Sequence, residues 1–183
     1  ERCLNNMAVN KEIVLGSGKL YIKKMSANDT FDMATIAVEA NQIGLISGGA
    51  SLEYKPETYE VKDDLCIVYK RFITAEEATF KSGILTWNVE ALNKIISNGN
   101  YTATEQKRTL KLGGNGAREM DKFAVVFEHT KSDNKTIRVG MVGTNDAGLT
   151  LEFASDKETV VDAEIKAMGH DDSGTLVVIE EEL

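Results

Sequence analysis

The chain has few of the residues from which metal sites, disulfides and membrane spans are built. Its 183 residues include two His, two Cys and one Pro, and the longest apolar runs, such as 123–127, are too short to cross a bilayer. Basic residues are also in deficit, with 21 Lys and Arg against 29 Asp and Glu. The resulting net charge of −8 repels phosphates. These shortages argue against a membrane-spanning segment and against a protein that reads DNA sequence.

The two cysteines and the N-terminal residues indicate where the protein is made. Cys66 lies in an apolar run and is expected to be a buried thiol. Two cysteines without a signal-peptide pattern favour synthesis in a reducing compartment. Met7 could be the natural start, so residues 1–6 are expected to be an upstream extension or an artificial remnant. Residues 7–183 are then expected to form a single domain.

Strand patterns dominate the chain, and fifteen glycines suit tight turns between them. Runs of alternating or β-branched residues occur at 12–22, 41–54, 65–73, 75–86, 108–112, 122–128, 136–142, 149–153, 160–168 and 175–179. Residues 132–134 are expected to turn a hairpin between two of these runs. The segment 25–40 is ambiguous, and we expect a loop followed by a short strand. The sequence therefore predicts a mainly β protein.

The clearest helix pattern covers about 88–98. Asn88 can cap it, and Glu90 suits the positive helix end. Val89, Leu92 and Ile96 fall on one face, so they are the expected packing residues, with Trp87 as an anchor just ahead of the helix. Gly99 is expected to stop the helix. So short a helix must dock on the sheet to be stable.

A long β-arm is predicted at about 44–73, and the rest of the chain is expected to present it. A strand is broken by Gly48 and Gly49, runs into a polar tip and returns as a second strand. Residues 47–64 are the candidate stacking arm, with Tyr54 and Tyr59 as amphipathic anchors. The candidate contact residues are Gly48, Gly49, Tyr54, Lys55, Pro56, Glu57, Tyr59, Asp63 and Asp64. A plain solvent loop, or an arm that orders only on assembly, would both fit this pattern.

Catalytic patterns are absent from the sequence. His129 falls at the end of a predicted strand, and His170 stands among glycine, serine and aspartate in what reads as a polar turn. Neither has a nucleophile or a metal-ligand set at a recognisable spacing. We therefore expect no enzyme activity, no cofactor and no metal.

Four stretches give the chain a resemblance to a known family, the major tail tube proteins of tailed bacteriophages and of phage tail-like particles. They are residues 12–22 (EIVLGSGKLYI), 41–54 (NQIGLISGGASLEY), 72–87 (FITAEEATFKSGILTW) and the strand-rich end, 149–182. The resemblance implies a β-sandwich or barrel-like tail tube domain with one flanking helix. It implies no catalytic, cofactor-binding or metal-binding residues.

The same resemblance implies a function and a set of partners. Six subunits would form a ring, and stacked rings would form a hollow tube through which DNA passes without sequence-specific binding. Implied partners are a tape-measure protein, tail initiator or baseplate and terminator proteins, and in some tails a contractile sheath. The protein would be made in the bacterial host cytoplasm and would reside in the virion. An extracellular adhesin or pilus-like β module is the main alternative, and a small enzyme is the third.

Overall fold

A computed structural model describes residues 17–26, 29–64, 67–85, 88–114, 119–151, 153, 155–156 and 159–183. Its strands are β1 (Lys19–Lys24), β2 (Ile46–Lys62), β3 (Val68–Ile84), β4 (Asn100–Ala103), β5 (Arg108–Lys111), β6 (Phe123–Thr130), β7 (Thr136–Thr144), β8 (Val161–Ala167) and β9 (Val177–Glu181). Its helices are α1 (Met33–Ile36) and α2 (Val89–Ile95), with a short 3-10 helix at Glu39–Asn41. The predicted mainly β fold is confirmed.

The main sheet is antiparallel and curls into an irregular barrel. Its strand order is β1-β6-β7-β8-β3-β2. β7 pairs with β8 through Gly143 and Thr144 only, and residues 137–141 of β7 pair with β9. The segment before β2 closes the ring. The Ile43 backbone N–H donates to the Leu20 carbonyl of β1 over 2.9 Å, and the Leu85 N–H donates to the Leu45 carbonyl over 2.9 Å. One extended segment thus links the β1 edge to the β3 edge.

The main core fills the inside of this barrel. Leu20, Phe123 and Ile165, from β1, β6 and β8, are fully buried there, and α2 packs onto the same cluster. The rings of Phe80 on β3 and Phe127 on β6 lie 6.5 Å apart, although two strands separate β3 from β6 in the sheet order. Such a contact requires the sheet to curl, so the burial pattern and the topology agree.

A second, smaller core covers the outer face of β1, β6 and β7. Met33 and Ile36 of α1 pack there against Val126. The Asp32 carboxylate caps this helix by accepting from the Ala34 backbone N–H over 3.1 Å. The short strand expected within 25–40 is therefore wrong. Burial of one helical face outweighs the strand preference of the β-branched residues around Thr35.

Helix α2 is confirmed, but it is shorter than predicted. Asn88 caps it, with its side-chain oxygen accepting from the Glu90 N–H over 3.0 Å. Ala91, Leu92, Ile95 and Ile96 are buried, and Val89 is half-buried. The chain leaves the helix through Asn98 at φ 63°, where the backbone N–H donates to Asp121, and not through Gly99. Trp87 lies outside the described residues.

Some strand boundaries also differ from the predictions. The runs expected at 65–73 and 75–86 belong to one long strand, β3, as far as residues are described. The strand expected at 149–153 is wrong for residues 149–151 and 153, none of which is in a strand. Residues 100–103 instead form β4, which pairs with β5 as a separate hairpin. Among the described residues, no helix is long and apolar enough to span a membrane.

Candidate interaction site: the arm formed by β2 and β3

The arm is a two-stranded ribbon that extends beyond the barrel. β2 and β3 are each 17 residues long and pair along their length. Only Thr79–Ile84 of β3 also pairs with β8, so from the Tyr54–Ala78 pair outward these strands have no other described strand beside them. At about 3.3 Å per residue, the free part of β2 extends roughly 30 Å. The predicted long arm is thus a continuous hairpin rather than a short strand with a loop.

The predicted glycine break is a β-bulge at the base of the arm. Gly48 and Gly49 both have φ of 75°, and the pairing skips from Ser47 to Ala50 between neighbouring residues of β3. The Ser82 hydroxyl donates to the Gly49 carbonyl over 3.1 Å, which fixes the bulge against β3. Side chains with a Cβ are strained at these φ values. The two glycines therefore belong to the base that aims the arm and not to its tip.

A second bulge lies midway along the arm, on β3. The pair Glu57–Ala75 is followed by Thr58–Ile73, so Thr74 has no partner of its own. Its hydroxyl donates to the Glu57 carbonyl over 3.3 Å. The extra residue shifts the alternation of β3 by one position. Between Thr74 and the tip, each side chain of β3 therefore points to the opposite face from the one it would have without the bulge. The tip and the base of the arm therefore differ in which residues share a face.

The inner face is the one continuous with the barrel core, and it becomes charged toward the tip. At its base Leu52 lies opposite the buried Phe80. Near the tip, Glu60 accepts from Arg71 Nε over 2.8 Å and pairs with Lys62 Nζ at 2.9 Å. The ammonium of Lys62 and then the guanidinium of Arg71 hold the pKa of Glu60 below its ordinary value. Besides these charges, this end of the inner face also exposes Ile73, which lies opposite Thr58.

The outer face has the opposite gradient. Its base has ion pairs, Lys55 with Glu53 at 2.9 Å and Lys81 with Glu164 of β8 at 3.0 Å. Toward the tip the charges give way to an aromatic pair. We call this surface the tip cluster; it consists of Tyr59 opposite Phe72 and Val61 opposite Lys70. Tyr59 is 62% exposed and Phe72 52% exposed.

An exposed aromatic ribbon of this kind is suited to binding another surface. Two strands alone are marginally stable in water, and contiguous exposed apolar groups mark contact sites. Pro56 lies on β2 and pairs in register with Glu76, so its nitrogen, which lacks a hydrogen, must face the open edge. A strand added along that edge would lose a bond there. The faces of the arm, rather than its edge at Pro56, are therefore the better binding surfaces.

The candidate contact residues of the arm, which the sequence places in one segment, lie on different faces and at different heights of the hairpin. Tyr54 and Tyr59 lie on opposite faces, so they cannot anchor the arm to one flat surface together. Asp63 shapes the turn, where its carboxylate accepts from the Ile67 N–H over 2.9 Å and the Tyr69 hydroxyl over 3.2 Å. Asp64 is exposed in that turn. Of the other candidates, Lys55 and Glu57 belong to the outer face between the base and the tip cluster.

Sequence reasoning missed the contribution of β3 to the tip. Phe72, Lys70 and Arg71 were assigned only to a returning strand, and the tip was expected to be polar. Residues 68–73 have apolar and aromatic residues on both sides of Lys70 and Arg71, a composition that suits a strand. This composition could not indicate which face would be uncovered, because that depends on the bulge at Thr74.

The two histidines take part in local structure. His129 Nδ1 donates to the Ser17 carbonyl over 2.6 Å. His170 packs edge-on against Phe31, with ring centroids 4.6 Å apart. Its turn is held by Asp171, whose carboxylate accepts from the Ser173 and Thr175 backbone N–H groups. Across the part of the chain that the structure describes, no three metal-binding side chains come together.

No protein-family model matches the chain, and a search of curated proteins finds none that matches it. The fold and the arm together define a mainly β protein that exposes a long antiparallel ribbon from a closed barrel.

Proposed function

We propose that this chain is a structural virion protein that assembles into stacked hexameric rings and forms the hollow tail tube of a bacteriophage or a phage tail-like particle. The observation that carries the proposal is the arm, which holds an aromatic tip cluster in solvent beyond the barrel. A monomer gains nothing from such a surface, whereas an assembly buries it. Two of the four stretches that resemble tail tube proteins, 41–54 and 72–87, include the barrel-proximal parts of both strands of this arm.

Ring formation would use the open strand edges. Among the described residues, the outer edge of β2 and the outer edge of β9 pair with no strand; the closure with β1 is made by Gln42 and Ile43, before β2 begins. Unpaired edges favour pairing with another chain, and a rotation that closes after six copies gives a ring. Neighbouring sheets would then join into one large barrel around a lumen.

The outer face of β2, β3 and β8 at the arm base is the surface best suited to line that lumen. It has five carboxylates against three lysines, which are Glu53, Glu57, Glu77, Asp162 and Glu164 against Lys55, Lys81 and Lys166. Excess negative charge repels phosphates, so DNA would slide past without being held. This charge pattern supports a conduit and not a site that reads sequence.

The proposed partners follow from this role. A tape-measure protein would occupy the lumen during assembly, initiator or baseplate and terminator proteins would contact the two ends, and a contractile sheath would surround the tube in a contractile tail. The protein would be made in the bacterial host cytoplasm and reside in the virion. No catalytic role is proposed.

Negative-stain electron microscopy of the purified chain tests this function. Each copy has a formal charge of −8, so subunits repel one another, and salt screens that repulsion over about 10 Å at 0.1 M. Raising the salt and protein concentrations should give six-fold rings and then tubes. A chain that stays monomeric at high concentration at every salt concentration contradicts the proposal.

The alternative function, an extracellular adhesin or pilus-like β module, would also use an open edge, since such modules accept a strand from the next subunit. The same micrographs distinguish the two. Thin flexible fibres without a lumen would favour the adhesin or pilus-like module.

A further inference from the structure

The tip cluster of the arm faces away from the barrel that carries it. The inner face of the arm continues the barrel core, whereas Tyr59, Phe72 and Val61 are on the outer face. The ribbon is paired from Tyr54 to Lys62, so it cannot fold back around its own barrel without breaking that ladder. Any surface that covers these apolar side chains must therefore come from another molecule.

A groove at the base of the arm has the complementary character. It lies between β2 and the β9 region, has a volume of about 440 Å³ and is lined by Leu52, Tyr54, Glu76, Leu176, Val177 and Ile179. Ile179 is 65% exposed on this surface. The groove combines these apolar side chains with polar groups of Ser173 and Thr175 and with one carboxylate, that of Glu76, which accepts from the Tyr54 hydroxyl. The tip cluster combines apolar side chains with one ammonium group, that of Lys70.

We propose that the tip cluster of one copy docks into this groove of a second copy, with Lys70 facing Glu76. The inference rests on the proposed tail tube function and names the surface that receives the arm. Tip and groove are different surfaces of the same chain, so the contact is head-to-tail, and in a tube it would repeat from one ring to the next without closing. That geometry produces a stack. Charge matching fixes the register, while the aromatic pair supplies the buried area.

Site-directed disulfide formation tests the contact. In a chain with Cys3→Ser and Cys66→Ser, Phe72→Cys protein is mixed with Ile179→Cys protein under assembly conditions and then oxidised. A linked pair must come from two copies, and we expect it as the main cross-linked product. Arg71→Cys is the matched control, because Arg71 is on the inner face and should not link to Ile179→Cys.

Charge reversal gives a second, independent measurement. Lys70→Glu should raise the protein concentration needed for polymerisation by at least about tenfold, because it opposes Glu76. Lys62→Glu reverses a charge on the inner face of the same tip and should change that concentration by less than about twofold. Adding Glu76→Lys to Lys70→Glu should restore most of the loss.

The outcomes separate this inference from the function on which it rests. Tubes that form normally but give no disulfide link between residues 72 and 179 overturn the proposed docking of the tip cluster into the groove. They leave the proposed tail tube function standing. Equal linking by Phe72→Cys and Arg71→Cys, or equal effects of Lys70→Glu and Lys62→Glu, also overturns it. Absence of rings and tubes from the unmodified chain overturns both proposals.

Discussion

The barrel and the arm share two strands, but apolar side chains of these strands are buried in the barrel and exposed in the arm. Within the barrel, Phe80 and Ile84 of β3 are buried to 2% exposure, whereas Phe72 and Ile73 of the same strand are exposed in the arm. The difference comes from what lies against each part. β8, β2 and α2 enclose the half of β3 nearer the barrel. Among the described residues, only β2 pairs with the other half. One strand thus contributes both to the core and to an exposed apolar surface.

This contrast distinguishes the region that stabilises the fold from the region that we propose for association. Burying a large apolar side chain contributes about 1.5–3 kcal/mol, and the barrel gains this for each of its core residues. The arm gains it only when a second surface covers the tip cluster. Substitutions in the barrel should therefore change folding, whereas substitutions in the arm should change assembly.

The largest effect is expected from Leu92→Ala in α2. Leu92 is 6% exposed against the main core, so its truncation should lower the free energy of unfolding by about 2–5 kcal/mol. Phe72→Ala is the arm counterpart and should lie within about 0.5 kcal/mol of the parent in the monomer. Chemical denaturation of both variants makes the comparison. A Phe72→Ala monomer as destabilised as the Leu92→Ala variant would break the distinction between barrel and arm.

A smaller effect is expected from Asn88→Ala, which removes the cap of α2. The Asn88 side-chain oxygen accepts from the Glu90 N–H over 3.0 Å and from Arg108 over 3.1 Å. Loss of a helix cap costs about 1 kcal/mol. Thermal melting should show a modest decrease in Tm, with tube formation retained. A variant that folds normally but no longer polymerises would place α2 in the assembly contact instead.

The smallest effect is expected at the charged side of the tip. Because Lys62 and Arg71 hold the pKa of Glu60 below its ordinary value, its ionised form contributes stability above the ordinary glutamate range. That contribution is lost as the pH falls through the lowered pKa. An NMR titration should therefore give a lowered pKa for Glu60 that rises toward the ordinary value in Arg71→Gln. An unchanged pKa in Arg71→Gln would show that the pair does not persist in solution.

Local signals made part of this structure predictable. Asn88 and the apolar spacing after it specify α2, and the turn at Ser132–Asn134 specifies the β6–β7 hairpin. Gly48 and Gly49 marked the base of the arm because positive φ values favour glycine. Each of these features depends on a few neighbouring residues.

Other features depend on contacts between distant segments and were missed for that reason. Helix α1 exists because Met33 and Ile36 find an uncovered sheet face that β1, β6 and β7 create. The bulge at Thr74 depends on how β3 aligns with β2, and threonine itself gives no signal for it. The tip cluster could be recognised only after that register was known.

The central claim is that the barrel folds alone and the arm joins copies together. Replacing Pro56–Glu76 with Asn-Gly tests it, because Lys55 and Glu77 form the neighbouring hydrogen-bonded pair of the ladder and a two-residue turn can connect them. The shortened chain should unfold cooperatively with a Tm close to that of the parent and should form no long tubes under the electron microscope. Tubes of parental length from the shortened chain would contradict the claim.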